Sequence, residues 1–122
     1  MGLKFLKQIH LRKRSVFRKV YEEGRFIANR MMAVHFMPNP EHSRRIGFSA
    51  GKRLGSAVVR NRCKRRLREC YRLHQMEVPT GMDIIFVARR AMVGAKWTDI
   101  VAAFSEALRR SRGMIEKHRS EK

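Results

Sequence analysis

Residues 60–72 read RNRCKRRLRECYR, seven basic side chains in thirteen positions, six of them arginine. The chemistry such a run can do is recognition of phosphate. A guanidinium is a planar fork of donors that meets two phosphate oxygens at once, and it stays charged at any physiological pH. The apolar residues threaded through the run make it more than a charged tail. A helix turns about 100° per residue, so Val59, Cys63, Leu67 and Cys70 fall on one stripe. Asn61, Arg65, Arg68 and Arg72 line the opposite face, Arg62 and Lys64 flank it, and Arg60 and Arg66 border the apolar stripe. One side can dock on a core while the other presents dense positive charge. Only Glu69 interrupts the run, and like charges at i,i+4 destabilise a helix. The expected partner is an anionic polymer.

A second constellation is aromatic. Phe17 and Tyr21 stand one turn apart, and His35 projects from a segment of strand-like alternation. Planar rings beside positive charge can stack unpaired bases, each stack contributing about 1–3 kcal/mol. The same spacing suits the core face of an amphipathic helix, and the pattern leaves both readings open.

The whole chain agrees with the arginine run. Its 122 residues carry 29 Lys and Arg against 10 acids, a net charge of +19. Such a charge is tolerated when a polyanion neutralises it. Hydrophobic residues make up 43%, too many for a disordered basic tail. The length suits one domain.

Other chemistries find little support. The five histidines (10, 35, 42, 74 and 118) show no metal-ligand spacing among themselves or with the cysteines, and the acids form no paired-carboxylate motif. No nucleophile elbow, Walker loop or dinucleotide loop appears. The stretch Gly51–Gly55 resembles a phosphate-cradling loop only loosely. We expect no catalytic residue, metal site or organic cofactor in this polypeptide. Cys63 and Cys70, seven apart on one helix, are separated by a rise of about 10.5 Å, beyond the roughly 7 Å that a disulfide allows. They read as core thiols of a protein in the reducing cytoplasm. No run of 18 apolar residues is present, the N-terminus lacks the apolar stretch of a secretory signal, and no membrane association is expected. Phe17 and Tyr21 read as parts of the folded domain rather than of a cleaved presequence.

The elements that must position these residues follow from periodicity. Residues 1–13 form a basic arm. Ser15 caps a helix bearing Val16, Phe17, Val20 and Tyr21, and Gly24 closes it. Strands are expected over Arg25–Ala28, Met31–Met37 and Arg44–Ala50, the first two joined by a turn at Asn29-Arg30. The arginine helix spans about Ser56–His74. Met82–Ala88, almost wholly apolar, reads as a strand covered on both faces. A last helix runs from about Trp97 to Arg112, and residues 113–122 are a charged tail. The order αβββαβα, over a domain of residues 14–112, predicts an α+β two-layer sandwich with a mixed four-stranded sheet.

The run GKRLGSAVVRNRCKRRLRE, residues 51–69, closely resembles the signature of the bacterial ribonuclease P protein component. The resemblance extends in order through FRKVYEEG (17–24), ANR (28–30), IGFS (46–49), DIIFVAR (83–89) and the C-terminal helix. It covers roughly residues 10–112. It implies that family's αβββαβα fold with an unusual left-handed crossover. It also implies a division of labour: an RNA subunit carries out Mg²⁺-dependent hydrolysis that removes the 5′ leader of precursor tRNA, while the protein binds that RNA and contacts the leader. Residue by residue, Arg60, Asn61 and Arg62 match the family's RNR motif, and Lys64, Arg65, Arg66 and Arg68 its basic continuation. Arg72 extends that face by periodicity. Phe17 and Tyr21 match aromatic positions of the leader cleft, and His35 stands where many members carry a larger ring. Lys52 and Arg53, in the glycine-bracketed loop, are assigned to the leader beside them. No protein partner is required. The competing classes are a ribosome-associated structural protein of similar composition, a helix-turn-helix DNA-binding protein and a self-sufficient nuclease. A strand and loop, rather than a short helix, precede the arginine helix and speak against the second.

Overall fold

The computed structural model describes residues 9–41 and 43–120. The expected basic arm lies outside the described residues as far as residue 8, and His42 and the last two residues of the tail do so too. The elements are β1 (Ile9–His10), α1 (Arg14–Glu23), β2 (Arg25–Ala28), β3 (Met32–Pro38), β4 (Arg44–Ser49), α2 (Ala57–His74), β5 (Met82–Ala88) and α3 (Trp97–Ser120), with short 3-10 turns between some of them. The expected helices and strands are present in order. The four expected strands form a mixed sheet, and the two-residue β1 extends it at one edge.

Strand order across the sheet is β1-β4-β5-β3-β2. Sequence-adjacent β2 and β3 pair antiparallel, as a short turn requires. Asn29 makes that turn: its Oδ1 accepts from the backbone N–H groups of Met31 (3.0 Å) and Met32 (3.1 Å). Its Nδ2 donates to Ala103 O at 3.0 Å, which ties the hairpin to α3. β4 and β5 are parallel neighbours, so the chain between them has to cross back over the sheet, and α2 is that crossing. β5 is central and buried on both faces, which explains its unbroken apolar composition.

The sheet's two faces differ. Met32, Val34, Phe36, Ile46, Ile84 and Phe86 alternate onto one face and meet Cys63, Leu67, Cys70 and Tyr71 of α2 and Ile100, Phe104 and Leu108 of α3. Phe86 stacks on Phe104 with ring centroids 4.7 Å apart. Tyr71, absent from the apolar stripe read from sequence, is wholly buried beside Cys70. On the other face a smaller cluster joins Leu11, Val20 and Ile85, with Val16 and Phe17 partly buried against it. This is where α1 lies.

Two helix boundaries differ from the sequence reading, and strands β3 and β4 shift by one residue at their ends. Helix α1 begins at Arg14, with Lys13 in the N-cap position and no side-chain cap, so Ser15 sits inside the first turn. The cause is upstream: Leu11 N–H donates to Ile46 O at 2.7 Å, and the pairing that β1 begins sets where the extended chain ends. Part of the expected arm, residues 9–11, is therefore docked on the sheet, with Leu11 buried. Helix α3 does not stop at Arg112. Leu108, Ser111 and Ile115 continue its buried stripe at spacings of three and four, and burying Ile115 contributes about 1.5–3 kcal/mol, more than the roughly 1 kcal/mol that Gly113 costs in a helix. Gly24 does close α1, though not through a left-handed backbone. A Cβ there would lie 2.6 Å from both Phe36 O and Val20 O, so glycine is needed for close approach. Among the described residues no helix is long and apolar enough to cross a membrane.

Candidate nucleic-acid interface

Helix α2 opens with Ser56, whose Oγ accepts from Val59 N–H at 3.4 Å. From that start the wheel read from sequence is largely realised. Cys63, Leu67 and Cys70 are buried, while Asn61, Arg62, Arg65 and Arg68 are exposed. Burial pushes the Cys63 thiol above its usual range and the Cys70 thiol up to about 12. Both are free thiols and neither is a nucleophile.

The signature arginines divide by task. Arg66 is half-buried and its Nη1 donates to Ala95 O at 3.1 Å, pinning the segment that precedes α3 against α2. Arg60 is also half-buried, at the border of the stripe as expected, and Lys64 joins it there. Arg72 departs from expectation. It is half-buried rather than fully outward-facing, and its guanidinium takes both oxygens of Glu69, one of them from Nε at 2.9 Å. The physical reason is the i,i+3 spacing of the pair, which the wheel ignores. That contact holds the Glu69 carboxyl below its ordinary range. The free positive face is therefore Arg62, Arg65 and Arg68, with Asn61 among them.

The aromatic constellation is assembled from three elements. Phe17 and Tyr21 of α1 meet edge to face at 6.2 Å between centroids, Tyr21 meets His35 of β3 at 4.7 Å, and His35 stacks on Phe26 of β2 at 5.1 Å. Phe26, opposite His35 in the hairpin register, was missed from sequence. The Asn29 turn carries the signal that could have found it, because that turn fixes which residues of β2 and β3 face each other. Tyr21 and Phe26 are 40% and 60% exposed, so the line has a solvent face. Burial keeps the His35 imidazole below its ordinary pKa. Phe17 lies flat enough on β4 that a Cβ on Gly47 would come within 2.7 Å of its Cζ.

Phe17 lies between two concavities. One, of about 490 Å³, runs along α1 past Arg12, Arg14, Arg18 and Tyr21. The other, of about 430 Å³, opens at the edge of β4 between His10, Phe48, Lys64 and Arg68. Within it the Arg68 guanidinium lies 5.5 Å from the centre of the Phe48 ring, a cation–π distance. The positive field is felt by His10, whose imidazole is pushed down by burial and then by Arg68 and Arg12. Aromatic line and arginine helix thus meet at Phe17. Lys52 and Arg53 do not join them: they sit exposed in the 3-10 turn before α2 and line neither concavity. Among the described residues no group of three His, Cys, Asp or Glu side chains is placed to hold a metal ion.

The arrangement can grip an extended anionic strand, with bases against the rings and phosphates toward the arginines. Known proteins share both the sequence and the fold. The ribonuclease P family profile matches residues 5–112. The chain is 40% identical over 100 residues to the ribonuclease P protein component of Alkaliphilus oremlandii, covering 82% of this chain and 88% of that one. Its fold matches the ribonuclease P protein of Staphylococcus aureus with a TM-score of 0.78 at 31% identity, over 86% of this chain and 96% of that one. The Thermotoga maritima ribonuclease P protein gives 0.76 at 26%, over 84% and 97%.

Proposed function

The chain belongs to the family of ribonuclease P protein components, subunits of an endoribonuclease holoenzyme, and from that premise we propose that it binds the catalytic RNA subunit and the 5′ leader of precursor tRNA. The observation that carries this reading is the junction at Phe17, where a line of rings, Tyr21 and Phe26 exposed and Phe17 and His35 half-buried, runs into a concavity walled by Lys64 and Arg68. A single-stranded leader needs both features. Ring stacking holds unpaired bases with little sequence preference, and arginine charge holds the backbone that joins them.

Within the holoenzyme Arg62 and Arg65, exposed on α2, contact the RNA subunit, Arg68 at the Phe17 junction serves both RNAs, and Phe17, Tyr21, His35 and Phe26 contact the leader. Arg66 and Arg72 act at one remove, by fixing α2 against its surroundings. Lys52 and Arg53, exposed in the turn before α2, contact the leader through its phosphates rather than its bases. The protein's charge of +19 lowers the repulsion between two folded RNAs and so favours their association. Mg²⁺ is assigned to the RNA, as the resemblance to the ribonuclease P family implies, and no chemical step is given to the protein. Two buried free thiols suit a reducing compartment, and we place the assembly in the cytoplasm.

The test is reconstitution. RNA-free protein should leave precursor tRNA intact. Adding the cognate RNA subunit should give cleavage at the mature 5′ end, at a lower Mg²⁺ concentration than the RNA requires alone. Correctly placed cleavage by the rigorously RNA-free protein overturns the assignment.

A further inference from the structure

Trp97, the only tryptophan of the chain, stands at the first residue of α3 and is 38% exposed. It packs into neither core cluster and, among the described residues, meets no other ring. Its surroundings are unusual for an exposed indole. Together with Arg62, Arg65, Arg66, Arg68 and Glu69 of α2 it lines a concavity of about 580 Å³, which shares only Arg68 with the concavity beside Phe48 and no residue with the one along α1.

Three features make this a prepared surface. Arg66 holds Ala95 by its carbonyl, so the segment entering α3 is locked to α2 two residues before the indole. Glu69, the acid of the concavity, is held by Arg72, and its charge is answered there rather than among the lining arginines. Arg62 and Arg65, a turn apart and exposed, form no ion pair among the described residues. An open aromatic face beside unanswered guanidinium groups combines the two elements that hold a splayed nucleotide: a plane for the base and forks for its phosphates. A simple phosphate site would have no use for the indole, and four guanidinium groups around one concavity call for a polyanion to answer their charge.

We propose that Trp97 and the arginines of α2 form a stacking site for one unpaired base of the RNA subunit, distinct from the leader line at Phe17. The proposal rests on the reading that this chain binds that RNA. It divides the protein between two RNAs: α1, β2 and β3 face the leader, whereas the α2–α3 junction captures a looped-out base of the subunit. Capturing such a base gives α2 a defined register on the RNA, which charge alone cannot give.

Because Trp97 is the sole tryptophan, its fluorescence reports the site directly. The full chain is titrated with the RNA subunit and, separately, with a blunt RNA duplex of equal length to that subunit's longest helix. The RNA subunit should change the Trp97 emission and the duplex should not, although both bind. Trp97→Ala should weaken binding of the RNA subunit roughly 5- to 150-fold, the scale of one base stack, and leave duplex affinity unchanged. Trp97→Phe should restore most of that affinity, and thermal melting of both variants should match the parent. Equal effects on subunit and duplex, or no effect on either, with the parent still binding the subunit tightly, overturns the stacking site and leaves the function above intact. Failure of the parent chain to bind the RNA subunit overturns both.

Discussion

Arg62, Arg65 and Arg68 reach solvent from neighbouring turns of one helix, whereas Phe17, Tyr21, His35 and Phe26 come from a helix and two strands. The first region is local. Its outward face depends on nothing but helical spacing and a buried stripe on the other side. The second exists only because β3 lies beside β2 and beneath α1. The two also act over different distances. Charge attracts RNA from about a Debye length, near 8 Å at physiological salt, and does not discriminate; ring stacking works in contact and recognises an unpaired base. A helix can supply the first alone, while the second needs a tertiary fold.

The sharpest way to break this comparison is to attack what lies beneath the charged face. Cys63→Asp places a carboxylate on the buried stripe of α2, where burial opposes the charge more than the neighbouring Arg66 and Arg62 favour it. It should cost about 3–5 kcal/mol, read as a collapse of the melting transition. A stable Cys63→Asp protein would mean that α2 is rotated from the orientation described.

The charged face itself should behave in the opposite manner. Arg62→Ala combined with Arg65→Ala should leave the melting temperature nearly unchanged, because both side chains are exposed and neither makes an ion pair among the described residues. Affinity for RNA should fall, and the slope of log affinity against log salt should become shallower by about 0.7–0.9 for each phosphate that the variant no longer neutralises. Unchanged salt dependence removes these two arginines from the interface.

The aromatic line yields a smaller and more selective effect. Phe26→Ala should weaken precursor tRNA binding by about 1–3 kcal/mol and leave mature tRNA, which has no leader, almost untouched. Phe26 suits this test better than Phe17 because it is 60% exposed, whereas Phe17 also packs against Leu11 and Val20. Phe17→Ala should therefore show the same selectivity together with a loss of stability. Equal weakening on the two tRNAs for Phe26→Ala would make the line a structural feature only.

The smallest effect is in pH. Burial lowers the His35 pKa from its ordinary 6.5, while in the unfolded chain it returns to about 6.5. Between those values the unfolded state binds more protons, so stability falls as the pH drops through that window and is regained above it. His10, also lowered, adds with the same sign. Asp83, raised by burial above 3.8, opposes it at lower pH. His35→Phe should flatten the decline in melting temperature below pH 6.5, leaving the share due to His10. An undiminished decline would show that the His35 ring is solvated.

How much of this was legible differs between the two regions for a physical reason. The α2 wheel, its two thiols and the apolar strand β5 were read correctly because each depends on a local period, 3.6 or 2, that burial preserves. Within α2 the reading failed at Arg72, because it placed side chains by direction on the wheel and left out the i,i+3 pairing with Glu69. It also passed over Tyr71, which a second helix and the sheet together bury. Beyond α2, the start of α1 was set by the docking of Leu11 on β4, and the end of α3 by a pocket for Ile115 that only the folded sheet offers.

The sequence by itself determined the charge, the helices and strands, their order and the family signature, since composition and period reside in the chain. The tertiary structure alone decided that Phe26 completes the aromatic line, that Lys52 and Arg53 stand apart from it, and that Trp97 faces the arginines of α2. Each of these depends on which side chains strand pairing and helix packing bring within a few ångströms. That is a property of contacts distant in the chain, and no local pattern records it.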